Sequence, residues 1–234
     1  MQDAPRLQNA LSQRGLASRR VAADWIRAGR VRVNGAVVLD PGLRVDPAID
    51  AIEVDGLSLA APPRRVTVML NKPKGCVCST DRSQGRSVCD LVADAGTRLV
   101  PVGRLDKESE GLLLLSNDGG LILKLTHPRY GHTKKYRVLV RGELNNATLE
   151  SLRAPIEIDG KLTRPATVEI TAPNELLFIL GEGRNQQIRR LCERANLRVT
   201  RLLRTAINDL ELPPDLAPGQ WREIPPETFY NEFI

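Results

Sequence analysis

Six short segments between Val66 and Leu203 carry the apolar patterns of β-strands, and they constrain the fold more than any other feature. Their expected bounds are Val66–Leu70, Leu112–Leu115, Tyr136–Val140, Val168–Ile170, Leu176–Leu180 and Val199–Leu203. In the third segment apolar side chains alternate with more polar ones, as in a strand that buries one face. Few helical patterns separate the segments. The sequence therefore predicts an α+β fold with a mixed, largely antiparallel sheet.

The first quarter of the chain has a different pattern. Two short helices are expected there, the second one capped by Ser18. Asn34-Gly35, set between alternating apolar residues, is typical of a type I′ hairpin turn. We therefore predict a small helix-helix-hairpin domain over residues 5–58, a linker over 59–65 and a second domain over 66–234.

Arginine is concentrated in two segments of a chain whose net charge is +6. Arg6–Ala36 and Arg184–Arg204 each hold seven arginines and one acidic residue. Such density favours two contacts with a phosphate backbone. Aromatic residues make up only 3% of the chain, too few for a passive single-strand binder that stacks bases. The predicted second helix is short and alanine-rich, which disfavours a helix that reads bases in DNA.

Several classes of protein are disfavoured by what the sequence lacks. Four cysteines without a C-x-x-C pair and two histidines fit neither a disulfide scaffold nor a zinc site. No apolar run approaches the ~18 residues of a membrane span, and Met1–Arg6 is not a secretory signal, so we expect a cytoplasmic protein. A phosphate-binding P-loop is missing, so no nucleotide cofactor is expected. No heptad pattern is present, and we expect a monomer.

A charged loop between Gly103 and Gly111 is the best candidate for chemistry. Arg104 and Asp106 are two residues apart, and an arginine beside a carboxylate keeps it ionised, as a nucleophile requires. The residues alone leave two other interpretations open. The loop could be an ordinary acidic surface loop, or its three carboxylates could bind a hard cation, as in a metal-dependent RNA hydrolase. Those carboxylates belong to Asp106, Glu108 and Glu110.

A helix is also expected after Asn185, which we predict to be its N-cap. The apolar residues of this helix recur at helical spacing, and Arg189 lies at the edge of the stripe. The stripe consists of Ile188, Leu191, Cys192 and Ala195.

Two resemblances follow from motifs in order along the chain. The first part resembles the RNA-binding module named after ribosomal protein S-four. Its motifs are Leu7-x-x-x-Leu11, Gly15-Leu16-Ala17-Ser18-Arg19-Arg20 and Ile26–Gly35. The second part resembles the pseudouridine synthases of the ribosomal branch. Its motifs are Leu70-Asn71-Lys72-Pro73-Lys74-Gly75, Gly103-Arg104-Leu105-Asp106-x-x-Ser109-x-Gly111-Leu112, Ser116–Gly119, His127-Pro128, Lys134-Lys135-Tyr136 and Glu182–Arg190.

The second resemblance implies a reaction and a set of roles. A uridine of ribosomal RNA is flipped into a pocket and isomerised to pseudouridine, with no cofactor and no metal. Asp106 is the implied essential acid, Tyr136 stacks on the base and Arg189 pairs with Asp106. The implied substrate-binding residues are Arg104, Ile188, Lys72 and Asn185. The S-four-type module would grip RNA through Arg19, Arg20, Arg27 and Arg30.

The expected partner is ribosomal RNA or a pre-ribosomal particle. Glu182–Arg190 looks more like the large-subunit group of these enzymes, so large-subunit RNA is favoured over small-subunit RNA. A non-catalytic RNA-binding factor for ribosome assembly is the main alternative, and the intact set of Asp106, Tyr136 and Arg189 weighs against it.

Overall fold

A computed structural model describes residues 4–46, 49–59 and 63–232. The chain divides into two compact units, one ending at Arg65 and the other beginning at Val66. Asn117–Gly119 group with the first unit. The predicted linker, residues 59–65, lies partly outside the described residues, as do the last two residues of the second predicted domain.

The first unit consists of two helices and a four-stranded sheet of order β2-β1-β3-β4. Its elements are α1 (Leu7–Gln13), α2 (Arg19–Arg27), β1 (Val31–Val33), β2 (Ala36–Val37), β3 (Ile52–Val54) and β4 (Leu57–Ser58). The Ser18 side chain accepts a hydrogen bond from the backbone N–H of Val21 and caps α2, as predicted. Asn34 and Gly35 both have positive φ (52° and 81°), which confirms the type I′ turn.

The second unit is built on a nine-stranded sheet with a path β11-β12-β8-β13-β7-β5-β15, to which β6 and β14 add at the side. The strands of this sheet are β5 (Thr67–Lys72), β6 (Val100–Val102), β7 (Glu110–Ser116), β8 (Lys134–Arg141), β11 (Thr167–Ala172), β12 (Glu175–Leu180), β13 (Arg198–Ile207), β14 (Leu210–Glu211) and β15 (Trp221–Glu223). A separate two-stranded sheet is formed by β9 (Glu157–Ile158) and β10 (Lys161–Leu162). All six predicted strands are present. The pairing is antiparallel except between β13 and β7, which confirms the predicted fold class.

Helices cover both faces of this sheet. They are α3 (Gly119–Thr126), α4 (Asn146–Arg153), α5 (Gln187–Arg194) and α6 (Glu227–Glu232), with 3₁₀ turns at Arg82–Gln84, Val88–Ala95 and Pro128–Tyr130. The four leucines of β7 are fully buried because Leu113 and Leu115 pack into one core and Leu112 and Leu114 into the other. Among the described residues, no helix is long and apolar enough to cross a bilayer.

One predicted helix cap is wrong. The N-cap of α5 is Gln186, not Asn185, and its side chain makes no capping hydrogen bond. Gln186 has left-handed backbone geometry, with φ at 51°. The apolar stripe of the helix is confirmed, since Ile188, Leu191 and Cys192 are buried.

Candidate active site

A cavity of about 500 Å³ in the second unit contains most of the predicted site residues. Six of them line it together, although they come from distant parts of the chain. These residues are Arg104, Asp106, Tyr136, Asn185, Ile188 and Arg189. The cavity volume falls in the range of about 300–1,000 Å³ that is typical of small-molecule pockets.

The loop that holds Asp106 connects β6 to β7. Gly103, with φ at 74°, allows the chain to turn out of β6. Asp106 is exposed, while its neighbour Leu105 is buried and anchors the loop. The backbone N–H of Ser109 donates to the Asp106 carbonyl at 3.0 Å and closes a tight turn. The carboxylate is therefore held at the surface of the cavity by a fixed backbone.

Lys72 lies behind this loop and does not line the cavity. Its side chain is 0% exposed, and its ammonium donates to the carbonyls of Ser109 (2.7 Å), Pro73 (3.1 Å) and Lys107 (3.3 Å). Burial is the main cause that lowers the Lys72 pKa. The structure therefore gives Lys72 a role in fixing the loop, which differs from the direct substrate contact that we expected.

Tyr136 projects into the same cavity from β8. It is 7% exposed, and Val138 and Val140 on the same face of the strand are buried. Arg137 and Arg141 are exposed on the opposite face, which confirms the predicted alternation. Tyr136 therefore lines the cavity from a strand that is paired on both sides, with β12 and with β13.

Arg189 does not form the expected ion pair with Asp106 in this structure. Its guanidinium donates instead to the backbone carbonyl of Glu108, at 3.1 Å. This bond connects α5 to the loop that holds Asp106. The sequence could not distinguish the two partners, because Asp106 and Glu108 belong to the same short turn.

The loop before α5 forms another wall. The buried Gln187 side chain donates to Glu182 at 3.1 Å and accepts from the Arg184 backbone N–H at 3.2 Å. These contacts fix the loop. Asn185 and Gln186 are exposed and line the cavity. Sequence analysis did not single out Gln186 because left-handed geometry is unusual for glutamine.

Cys78 is a further residue that sequence analysis missed. Cys76, two residues earlier, is buried in the core. Cys78, however, lines the cavity, and its Sγ accepts a hydrogen bond from the backbone N–H of Leu105 at 3.4 Å. Burial is the main cause that raises the pKa of the Cys78 thiol.

The loop carboxylates do not converge on a common point. Glu110 pairs with Arg201 across the β7–β13 boundary, at 3.0 Å. Within the described ranges, no group of three or more histidine, cysteine or acidic side chains is placed to hold a metal ion.

Several arginines of the segment Arg184–Arg204 make contacts within the protein, and the expected phosphate contact of this segment stays a prediction. Arg194 donates to the carbonyls that end α4, Arg184 contacts Glu182, and Arg201 contacts Glu110. In the first unit, Arg27 pairs with Asp24 and Arg30 with Asp55.

Arg19 and Arg20 differ from these arginines. Both are exposed at the start of α2, and among the described residues neither has an ion-pair or hydrogen-bond partner through its side chain.

Family comparisons agree with this geometry. Residues 66–194 match the model of a family described as RNA pseudouridylate synthase, and residues 5–48 match the S4 domain. An "Uncharacterized RNA pseudouridine synthase" of Aquifex aeolicus is 40% identical over 225 residues, which cover 94% of this chain and 90% of that protein. "Ribosomal large subunit pseudouridine synthase B" of Bacillus subtilis is 36% identical, with 94% and 92% covered.

A solved structure described as a pseudouridylate synthase superposes over nearly the whole chain. The TM-score is 0.70 at 27% sequence identity, and the match covers 99% of this chain and 100% of the other. The resemblance therefore extends to the order and packing of the elements.

Proposed function

The chain belongs to the RNA pseudouridylate synthase family, and on that premise we propose that it isomerises a specific uridine to pseudouridine in large-subunit ribosomal RNA. One observation carries the proposal: Asp106, Tyr136 and Ile188 come from three separate elements and line one cavity. The choice of large-subunit RNA is supported by the relatives named for that subunit, at 36% and 37% identity.

The reaction breaks the bond between N1 of uracil and C1′ of ribose and forms a bond between C5 and C1′. The proton lost from C5 is balanced by the one gained at N1, so the product is an isomer of the substrate. A stacked base is out of reach, so the nucleotide must flip into the cavity at a cost of a few kcal/mol.

Residues at the cavity and residues outside it have different roles in this proposal. Asp106 acts on the ribose or the base as nucleophile or proton acceptor, and the bonds from Lys72 to the loop carbonyls hold it in place. Tyr136 stacks on the flipped base, and Ile188 supplies an apolar wall. Arg104, exposed at the rim, contacts phosphate or fills the gap left by the flipped nucleotide. Arg19 and Arg20 dock the folded RNA through its phosphates.

The test compares Asp106→Asn with Glu108→Gln, which removes another exposed carboxylate of the same loop. Each variant is returned to cells that lack the gene, and pseudouridine is mapped chemically in both ribosomal RNAs. We expect one large-subunit site to depend on the gene, to disappear with Asp106→Asn and to persist with Glu108→Gln. In vitro, Asp106→Asn should bind RNA normally and have no detectable activity.

Four outcomes would contradict the proposal. An Asp106→Asn variant that keeps a tenth of the wild-type rate would remove Asp106 from the chemistry. A gene-dependent site only in small-subunit RNA would correct the substrate. RNA binding without any pseudouridine would favour the non-catalytic assembly factor, and loss of activity in excess chelator would favour metal-dependent chemistry.

A further inference from the structure

A row of paired residues crosses the sheet next to the cavity and contains two buried cations. Lys72 on β5 pairs with Gly111 on β7, Gly111 pairs with Arg204 on β13, and Arg204 pairs with Tyr136 on β8. Paired residues on adjacent strands project to the same face of a sheet. Lys72 is 0% exposed and Arg204 is 3% exposed. Tyr136, at the end of this row, lines the cavity.

Arg204 is the less satisfied of the two cations. Its Nε donates to the carbonyl of Leu112 at 2.8 Å, but one terminal nitrogen is buried without any hydrogen-bond partner. None of the ion pairs formed by the described residues includes Arg204. A buried charge without an acidic partner is costly, because desolvation is not offset by attraction. The Lys72 ammonium, by contrast, donates hydrogen bonds to three carbonyls.

The charge of Arg204 acts on one group that lines the cavity and on one that lies near it in the sheet. After burial itself, Arg204 is the next cause that lowers the pKa of Lys134, which lies two residues before Tyr136 on the same strand. Its charge also opposes the rise in the pKa of Cys78, a residue of the cavity wall. A cation at this position therefore makes the potential of the cavity more positive.

We propose that Arg204 stabilises, through its charge, the negative charge that the uracil ring carries once it has separated from the ribose. When the N1–C1′ bond breaks, the electron pair stays on N1 and spreads over both ring carbonyl oxygens. The same pair is returned to C1′ when C5 attacks, and the C5 proton then leaves. This inference rests on the proposed function. Arg204 acts without touching the base, because it is only 3% exposed and is not among the residues that line the cavity.

The experiment measures single-turnover rates and RNA affinity for three substitutions of Arg204. Arg204→Met keeps the stem and removes the charge, Arg204→Gln keeps a donor without charge, and Arg204→Lys keeps the charge. The matched control is Arg153→Met, since Arg153 donates twice to the Val168 carbonyl on another part of the sheet. Thermal denaturation is recorded for each variant.

We expect Arg204→Met and Arg204→Gln to lower the rate by about ten- to a hundredfold, less than the loss of a donor in direct contact. RNA affinity should change less than about twofold, and Arg204→Lys should recover most of the rate. Arg204→Met should not melt earlier than the wild type, because it removes an unpaired buried charge. Arg153→Met should keep its rate even if it melts earlier.

The inference is overturned if Arg204→Met reacts within twofold of the wild type, or if Arg204→Gln recovers as much rate as Arg204→Lys. The second result would show that the rate depends on the hydrogen bond to the Leu112 carbonyl and not on the charge of Arg204. If Arg204→Met does not fold, the rates of Arg204→Gln and Arg204→Lys still show whether the charge or the hydrogen bond matters. A wild-type protein that forms no pseudouridine would contradict the proposed function instead.

Discussion

Gly111 is the position where the structure makes the sharpest prediction about stability. It begins the buried part of β7, directly after the loop that holds Asp106, and it has φ at 100°. A Cβ added there would lie 2.9 Å from the Arg204 backbone nitrogen, 2.8 Å from a Leu203 methyl carbon, and closer still to the Arg204 carbonyl oxygen. Because β7 and β13 pair there, neither backbone can move without breaking the sheet.

Gly111→Ala should therefore destabilise the second unit strongly. The unfavourable φ costs about 1–3 kcal/mol, and overpacking adds about 1–3 kcal/mol. The sum of about 2–6 kcal/mol is a large part of the 5–15 kcal/mol that stabilises a typical domain. With a urea slope of about 2 kcal/mol per molar, the midpoint should fall by about 1–3 M.

The assay is urea unfolding followed by Trp221 fluorescence, in a Trp25→Phe background that leaves the second unit as the reporter. Gly219→Ala is the matched control, because Gly219 has a similar φ of 87° and no atom within 4 Å of an added Cβ. It carries the same conformational cost, about 1–3 kcal/mol, without the clash. Equal midpoint shifts for the two variants would refute the argument from close approach.

Two further predictions concern the RNA contact and the thiols. Replacing Arg19 and Arg20 by glutamine should weaken RNA binding, reduce the slope of log affinity against log salt by about 1.5–2 and leave the single-turnover rate unchanged at saturating RNA; an unchanged slope in a salt titration would contradict the docking role. Burial raises the pKa of Cys192 to about 12, so at pH 8 iodoacetamide should modify Cys78 before Cys192, as mass spectrometry of the peptides would show; early labelling of Cys192 would contradict its burial.

The sequence by itself determined the features that depend on neighbours along the chain. Ser18 caps α2 because its hydroxyl reaches the N–H three residues on, and Asn34-Gly35 forms its turn because both residues tolerate positive φ. The alternation in β8 was readable because a strand has a period of two. The ordered motifs also indicated the family. Through that resemblance they indicated Asp106 and Tyr136 as candidate site residues.

Only the tertiary structure decided how the charged side chains are used. Arg204 and Gly111 are far apart in sequence, and no local pattern predicts that the pairing of β7 with β13 places them side by side. Lys72 bonds to the Lys107 and Ser109 carbonyls and Arg189 bonds to the Glu108 carbonyl, because the fold brings β5 and α5 to the same loop. A long basic side chain looks the same in sequence whether it meets phosphate, a carbonyl or no partner at all. What it meets depends on which strands pair, and strand pairing is a property of the whole sheet.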